Sequence, residues 1–368
     1  MTLRRLWRDY RPRTLTLTPP AGYTLVLAAV FVAIYVLLIE AVLRVPAVQS
    51  RLPAPSVGSN YISFEIALER LDRFASEGPV DCVFLGSSLV LRGIDPAIFG
   101  EAYAEQTGSD GMRCFNLGIQ GISASAASIV AEYVVDAYHP RLLIFGVSPR
   151  AFGQSMLDRS LTSDILGASA WARQVQGDLN VEGWLYRHSD LYRYRWIVLD
   201  WLDLHESHEI EMRREQEART ATGDGFLPRT GVLALPRTAK EVARVTLLFE
   251  DYRLAPEEIR VLEDFARLDA NTSTAVLLLE MPLHPDTISE YMGEDVYESF
   301  NATIRAHAGS MPYWTTTGLN LIPDKGFVDS NHLNPSGSAL FSRWLGERVG
   351  EAVEAGALGP SQVRTKSP

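Results

Sequence analysis

The uncharged run Tyr23 to Ile39, YTLVLAAVFVAIYVLLI, limits the architecture more than any other stretch of this 368-residue chain. With Gly22 and the apolar positions after Glu40 it reaches about 20 residues, enough to cross a hydrocarbon core and long for a buried soluble helix. Upstream stand Arg4, Arg5, Arg8, Arg11 and Arg13 against the single acid Asp9. The positive-inside bias therefore keeps residues 1–21 cytoplasmic, makes 22–44 the membrane span and puts the chain beyond Arg44 outside the cytoplasm. No small-x-small cleavage site comes cleanly after it, which favours an uncleaved single-pass anchor over a removed signal peptide. Residues 45–75 form a Pro-rich spacer and a connecting helix, with Pro46, Pro53, Pro55 and Gly58 stiffening the first part.

The remainder is long enough for one large domain over residues 76–350 with an insertion. A formal net charge of -11 argues against a nucleic-acid partner, since those surfaces are usually basic. Cys82 and Cys114 are too few for a disulfide framework or a cysteine metal site. Each stands early in an apolar run, and two small buried core residues are expected rather than a disulfide. No metal and no cofactor is expected.

Short apolar runs alternate with helical patterns, as in a parallel sheet covered on both faces. The strands are VDCVFLG, RCFNLGI, RLLIFGV and TAVLLLE. Residues 154–249 show helical spacing without strand rhythm, aromatic around Tyr192 to Trp201 and then highly charged, and read as a helical insertion near the site. Pro256 opens an amphipathic helix with Ile259, Leu262, Phe265 and Leu268 on one face. Residues 351–368 read as a disordered tail.

Two motifs bear chemistry. In LGSSLVLRG the first strand ends at Gly86 and Ser88 stands where a helix can begin, at the sheet edge where open α/β folds bind ligands. A helix N-cap is the plainer role for such a serine. Near the C-terminus, GFVDSNHLNP places Asp329 three residues before His332, so the carboxylate can orient the imidazole and leave Nε2 to take a proton from Ser88. His205 and His208 lie on a charged, solvated helix rather than a metal site. His284 stands in a turn between two prolines after the fourth strand, or lines the pocket there. Asn271 and Asn301 begin triplets that fit glycosylation acceptors.

Together these residues resemble the SGNH (GDSL-like) hydrolase superfamily, which has a flavodoxin-like three-layer α/β fold. Gly86-Ser87-Ser88 matches its nucleophile block, with Ser87 replacing the usual aspartate, and Asp329 to His332 matches its last block. Asn116-Leu117-Gly118-Ile119-Gln120-Gly121 looks like the second block, which makes Gly121 the oxyanion-hole donor. The third block, normally Gly-x-Asn-Asp, is here Gly146-Val147-Ser148-Pro149-Arg150, so Ser148 stands at the asparagine donor's position. Ser148 to Phe152, the membrane anchor and the insertion resemble the DltD-type branch, whose members act outside the membrane beside membrane-bound O-acyltransferases. The resemblance implies a catalytic triad of Ser88, Asp329 and His332, and an acylated cell-envelope glycan or polyol as substrate. Arg150, at the same sheet edge, is a candidate for an anionic substrate group. Loss of the usual asparagine also allows a non-catalytic binding partner of a membrane-bound O-acyltransferase.

Overall fold

The computed structural model describes residues 22–52, 62–154, 181–195 and 220–358, in two compact units. The smaller one contains α1 (Gly22–Leu43) and α2 (Pro46–Gln49), with Ser189–Leu191 beside them. Among the described residues α1 is the helix long and apolar enough to cross a membrane, and none of its side chains is buried in protein. Near its end Glu40 accepts hydrogen bonds from Ser189 Oγ at 2.8 Å and from the backbone N–H groups of Asp190 and Leu191 at 3.0 and 2.9 Å. Arg44 Nε also donates to this carboxylate at 2.9 Å, so both of its oxygens are engaged.

In the larger unit α3 (Ile62–Ser76) leads into β1 (Cys82–Gly86), followed by α4 (Ser88–Gly93), α5 (Pro96–Thr107), β2 (Cys114–Gly118), α6 (Ala124–Tyr138) and β3 (Leu142–Val147). After the described part of the insertion, with α7 (Val181–His188), α8 (Asp190–Arg193), whose first two residues belong to the smaller unit, and α9 (Ala239–Phe249), come α10 (Pro256–Arg260), α11 (Leu262–Asn271) and β4 (Ala275–Glu280). The short α12 (Pro285–Thr287), α13 (Glu294–His307), β5 (Tyr313–Trp314) and α14 (Pro335–Glu354) complete the order. The strands are all parallel, in the order β2-β1-β3-β4-β5. That is the doubly wound order in which the chain reverses direction between β1 and β3, leaving a crevice at their carboxyl ends.

Each strand of the first four is buried throughout, which is why it reads as a continuous apolar run. One face, with Val83, Leu85, Phe115, Leu117, Phe145 and Leu278, packs on α3, α6, α11 and α13. The other, with Phe84, Ile144, Leu277 and Leu279, packs on α4, α5 and α14 through Val90, Phe99, Phe341 and Leu345.

Four expectations are corrected. Cys82 and Cys114 are buried as expected but form a disulfide, their Cα atoms 4.5 Å apart, because they are register partners at the start of β1 and β2. Closing a 32-residue separation this way adds about 3–4 kcal/mol in the chain-entropy picture. The insertion is not helical throughout: residues 220–238 have no helix, since Gly223, Gly225, Pro228, Gly231 and Pro236 interrupt any helical run. The helix opened by Pro256 divides at Val261 into α10 and α11, although Ile259, Leu262 and Phe265 still face the core together. The C-terminal segment is ordered further than its composition suggests: α14 continues to Glu354, and Leu358 is buried against the same core face. Residues 1–21, 53–61, 155–180, 196–219 and 359–368 lie outside the described residues, so the basic terminus, His205, His208 and most of the aromatic stretch are not placed.

Candidate active site

Glycines end β1 and β2 and stand next to last in β3, forming one row, Gly86 paired with Gly118 on one side and Gly146 on the other. The space their missing side chains leave is filled by α4: a Cβ on Gly118 would lie 2.2 Å from Leu91 N, and one on Gly146 2.2 Å from Val90 Cγ2. Buried Asn116 fastens the helix there, donating from Nδ2 to Val90 O at 2.8 Å and Ile94 O at 2.6 Å while Oδ1 accepts from Gly118 N. Ser87 caps α4 and Ser88 is its first residue, so the chain delivers Ser88 to the carboxyl edge of the sheet.

The partner of Ser88 comes from the far end of the sequence. Ser88 Oγ lies 2.9 Å from His332 Nε2 across a separation of 244 residues. His332 Nδ1 is 2.9 Å from each carboxylate oxygen of Asp329. The hairpin-like turn holding both is closed by the Phe327–Leu333 bridge and by Val328 N donating to His332 O. Within it Asp329 Oδ1 accepts from the N–H groups of Asn331 and His332 at 2.9 and 2.8 Å, which fixes the carboxylate relative to its own backbone. Ser88 is 8 % exposed, and the Asp329 and His332 side chains beneath it are nearly as enclosed.

The irregular segment after residue 220 and α9 supply contacts that the motifs do not announce. Arg229 Nη1 binds Asp329 Oδ2 at 2.7 Å, and Arg244 Nη2 lies 3.3 Å from Asp329 Oδ1. Glu241 accepts from Ser330 N at 2.9 Å and pairs with Arg244, tying α9 to the same turn. Arg237, nearly buried, donates to Ser330 Oγ at 3.0 Å and to His284 Nδ1 at 3.2 Å. No motif marked Arg229, Arg237, Glu241 or Arg244; their only signal was a cluster of ionisable residues in a stretch that turns back toward the sheet.

Burial raises the Asp329 carboxyl, but the hydrogen bond and charge of His332, the Asn331 N–H and Arg244 outweigh it and hold the group far below the ordinary carboxylate range. Burial likewise raises Glu241, yet Arg244 and Ser330 bring it down to about 2. For His332 burial lowers the imidazole, Asp329 opposes that, and the charges of Arg92 and Arg229 reinforce it. The ring is therefore neutral at neutral pH, with Nε2 able to accept a proton once Nδ1–H faces Asp329. A group with a lowered value binds its proton only at more acidic pH, so His332 should titrate below 6.5 in imidazole ¹⁵N spectra of the full chain in micelles. Arg229→Gln removes a cation that disfavours imidazolium and should move the midpoint upward; a downward or absent shift would contradict this account of the site.

A pocket of about 440 Å³, including its open mouth, is lined by Ser88, Gly121, Ser148, Arg150, Asn331 and His332 among others. Gly121 takes φ +78, a left-handed turn after β2 that favours glycine. Ser148 is buried at the end of β3 and caps no backbone N–H. Arg150 stands on the short turn Pro149–Phe152. With Asp329 behind His332, the six residues singled out by sequence are thus gathered at one crevice. His284 does not line it; it is buried as the N-cap of α12, and burial lowers its imidazole first of all. Asn301 is also withdrawn from the surface, its Nδ2 bound to Glu280 at 3.1 Å. Comparison of the sequence with models of known protein families and with curated proteins finds no match.

Proposed function

We propose that this chain is a membrane-anchored serine esterase or O-acyltransferase of the SGNH type, acting outside the cytoplasm on acyl esters of a cell-envelope glycan or polyol. The observation that supports this most is the continuous path from Ser88 Oγ through His332 to Asp329, assembled from opposite ends of the chain with hydrogen-bond distances at both joints. The apolar helix α1 suits an anchor, and the Cys82–Cys114 disulfide suits an oxidising compartment. Ser88 Oγ attacks the ester carbonyl as its proton passes to His332 Nε2, and Asp329 steadies the imidazolium. The tetrahedral oxyanion receives N–H groups of Ser88 and Gly121, with the Ser148 hydroxyl standing where related sites use an asparagine. Collapse expels the alcohol, which takes the proton from His332, and leaves an acyl group on Ser88. An incoming hydroxyl then gives its proton to His332, attacks the acyl carbon and displaces Ser88 Oγ, which is reprotonated. Water as that hydroxyl makes an esterase; a sugar or polyol makes a transferase.

A second reading is favoured by the two arginines on Asp329, which offset the charge that would steady imidazolium. In it the domain binds glycan beside a membrane-bound O-acyltransferase without catalysing transfer. A fluorophosphonate probe separates the two. The full chain in micelles should be labelled covalently and Ser88→Ala should not; a wild-type chain that stays unlabelled, or equal labelling of both, removes the enzyme.

A further inference from the structure

The residue between the last motif's serine and histidine is Asn331, and the relay uses only its backbone N–H. Its side chain is peculiar. Asn331 is 7 % exposed and lines the pocket with Ser88 and His332, yet its Oδ1 is buried without a hydrogen-bond partner. Among the described residues the other buried asparagines are engaged: Asn116 through three bonds, Asn301 with Glu280 and Tyr313, Asn334 with Gly231 O and Lys325 O and as the cap of α14. A buried carboxamide oxygen without a partner bears its desolvation penalty, and where one persists in a folded protein it asks for a donor from outside.

We infer that Asn331 binds a neutral hydroxyl of the acyl acceptor, adjacent to the hydroxyl that receives the acyl group, and so selects a polyol or sugar over a simple alcohol. This rests on the acyl-enzyme proposed above. The charge pattern selects the ligand chemistry: no carboxylate is among the pocket's described lining residues, so an ammonium finds no counterion there. An anion finds its counterpart at Arg150 on the pocket wall rather than at an uncharged amide. A hydroxyl both donates and accepts, and pairs with either end of the carboxamide. Asn331 lines the same pocket as the base His332, so the hydroxyl it holds and the one being deprotonated are taken from one acceptor molecule in that pocket. In the transfer step the acceptor O–H proton moves to His332 Nε2, the acceptor oxygen bonds to the acyl carbon, and the bond from that carbon to Ser88 Oγ breaks, so nothing beyond acyl donor and acceptor is consumed.

The test uses the full chain in micelles, p-nitrophenyl acetate as donor, and glycerol or 1-propanol at equal concentration as acceptor, with the acetyl esters quantified by chromatography. Wild type should favour glycerol by about tenfold or more, because a site that pairs a hydroxyl discriminates against the analogue lacking it. Asn331→Leu, similar in volume, should bring the ratio close to one while melting no lower than wild type, as expected when an unpaired polar group is replaced by an apolar one. Asn331→Ala should lose the preference too, which keeps the ratio measurable if the leucine variant misfolds. A wild type that does not favour glycerol, or variants that retain its preference, overturn the inference while leaving the acyl-enzyme intact. Absence of any p-nitrophenol release from wild type above that of Ser88→Ala removes the acyl-enzyme, and this inference with it.

Discussion

Asp329→Asn should lower kcat toward p-nitrophenyl acetate by about ten-thousand-fold with little change in KM, although it alters hardly any volume. The surroundings of the carboxylate dictate the direction. Oδ1 receives the N–H groups of Asn331 and His332, so the amide oxygen of the variant must remain on that side. The amide nitrogen then occupies the position of Oδ2, facing His332 Nδ1 and the Arg229 guanidinium. An N–H donor there competes with the oxygen at Oδ1, also 2.9 Å from Nδ1, and favours the tautomer in which Nδ1 accepts and the ring proton sits on Nε2, which then cannot take the proton of Ser88. The same nitrogen repels Arg229, so the loop bearing it should loosen as activity falls. Binding of substrate in the pocket needs none of these protons, which is why KM should hold. A kcat within tenfold of wild type would mean that Asp329 does not govern the His332 tautomer, and would leave the arginine-paired carboxylate as a structural ion cluster.

The legibility of this chain divides along a physical line. β1 to β4 could be read because a strand buried on both faces has no polar alternation, and VDCVFLG or TAVLLLE can hardly be anything else. Ser88, Asp329 and His332 could be read because each sits at an element boundary where backbone geometry and chemistry are linked over a few residues. β5 could not: Tyr313–Trp314 is two half-buried residues long and exists only because β4 offers an open edge. The disulfide depended on which strand lies beside β1, a property of the sheet order rather than of local spacing. Arg229 and Arg244 depended on residues 220–238 returning across the sheet's carboxyl edge, where Leu227 N donates to Leu91 O and Leu233 N to Phe327 O. Those are long-range backbone bonds in an irregular segment, and no periodicity encodes them. The buried Leu358 was misjudged because one apolar residue in a polar context can still be captured by a core surface already formed by α5 and α14.

The glycine row under α4 makes the second large effect, and it lies on stability as well as on the site. In Gly118→Ala the new methyl would stand 2.2 Å from Leu91 N, 2.4 Å from Leu91 Cα and 2.6 Å from Leu91 Cβ. Backbone atoms cannot turn aside as a side-chain end can, so the whole of α4 must rise from the sheet. That motion breaks the Asn116 bonds to Val90 O and Ile94 O, which lie in the buried interior where no water replaces them. Overpacking plus unpaired carbonyls should cost about 3 kcal/mol or more, roughly 6–12 °C in Tm. Gly146→Ala meets the Val90 Cγ2 methyl instead, a branch that can rotate, and should be the milder of the two. Gly223→Ala, with nothing within 4 Å of the added carbon, is the control expected to melt as wild type does. Since Ser88 is the first residue of α4, the lift also separates its Oγ from His332 Nε2, so fluorophosphonate labelling of Gly118→Ala should fall even at temperatures where the chain remains folded. Equal melting of the Gly118 and Gly223 variants would show that α4 is not wedged against β2, and that something other than the glycine row holds Ser88 at the edge of the sheet.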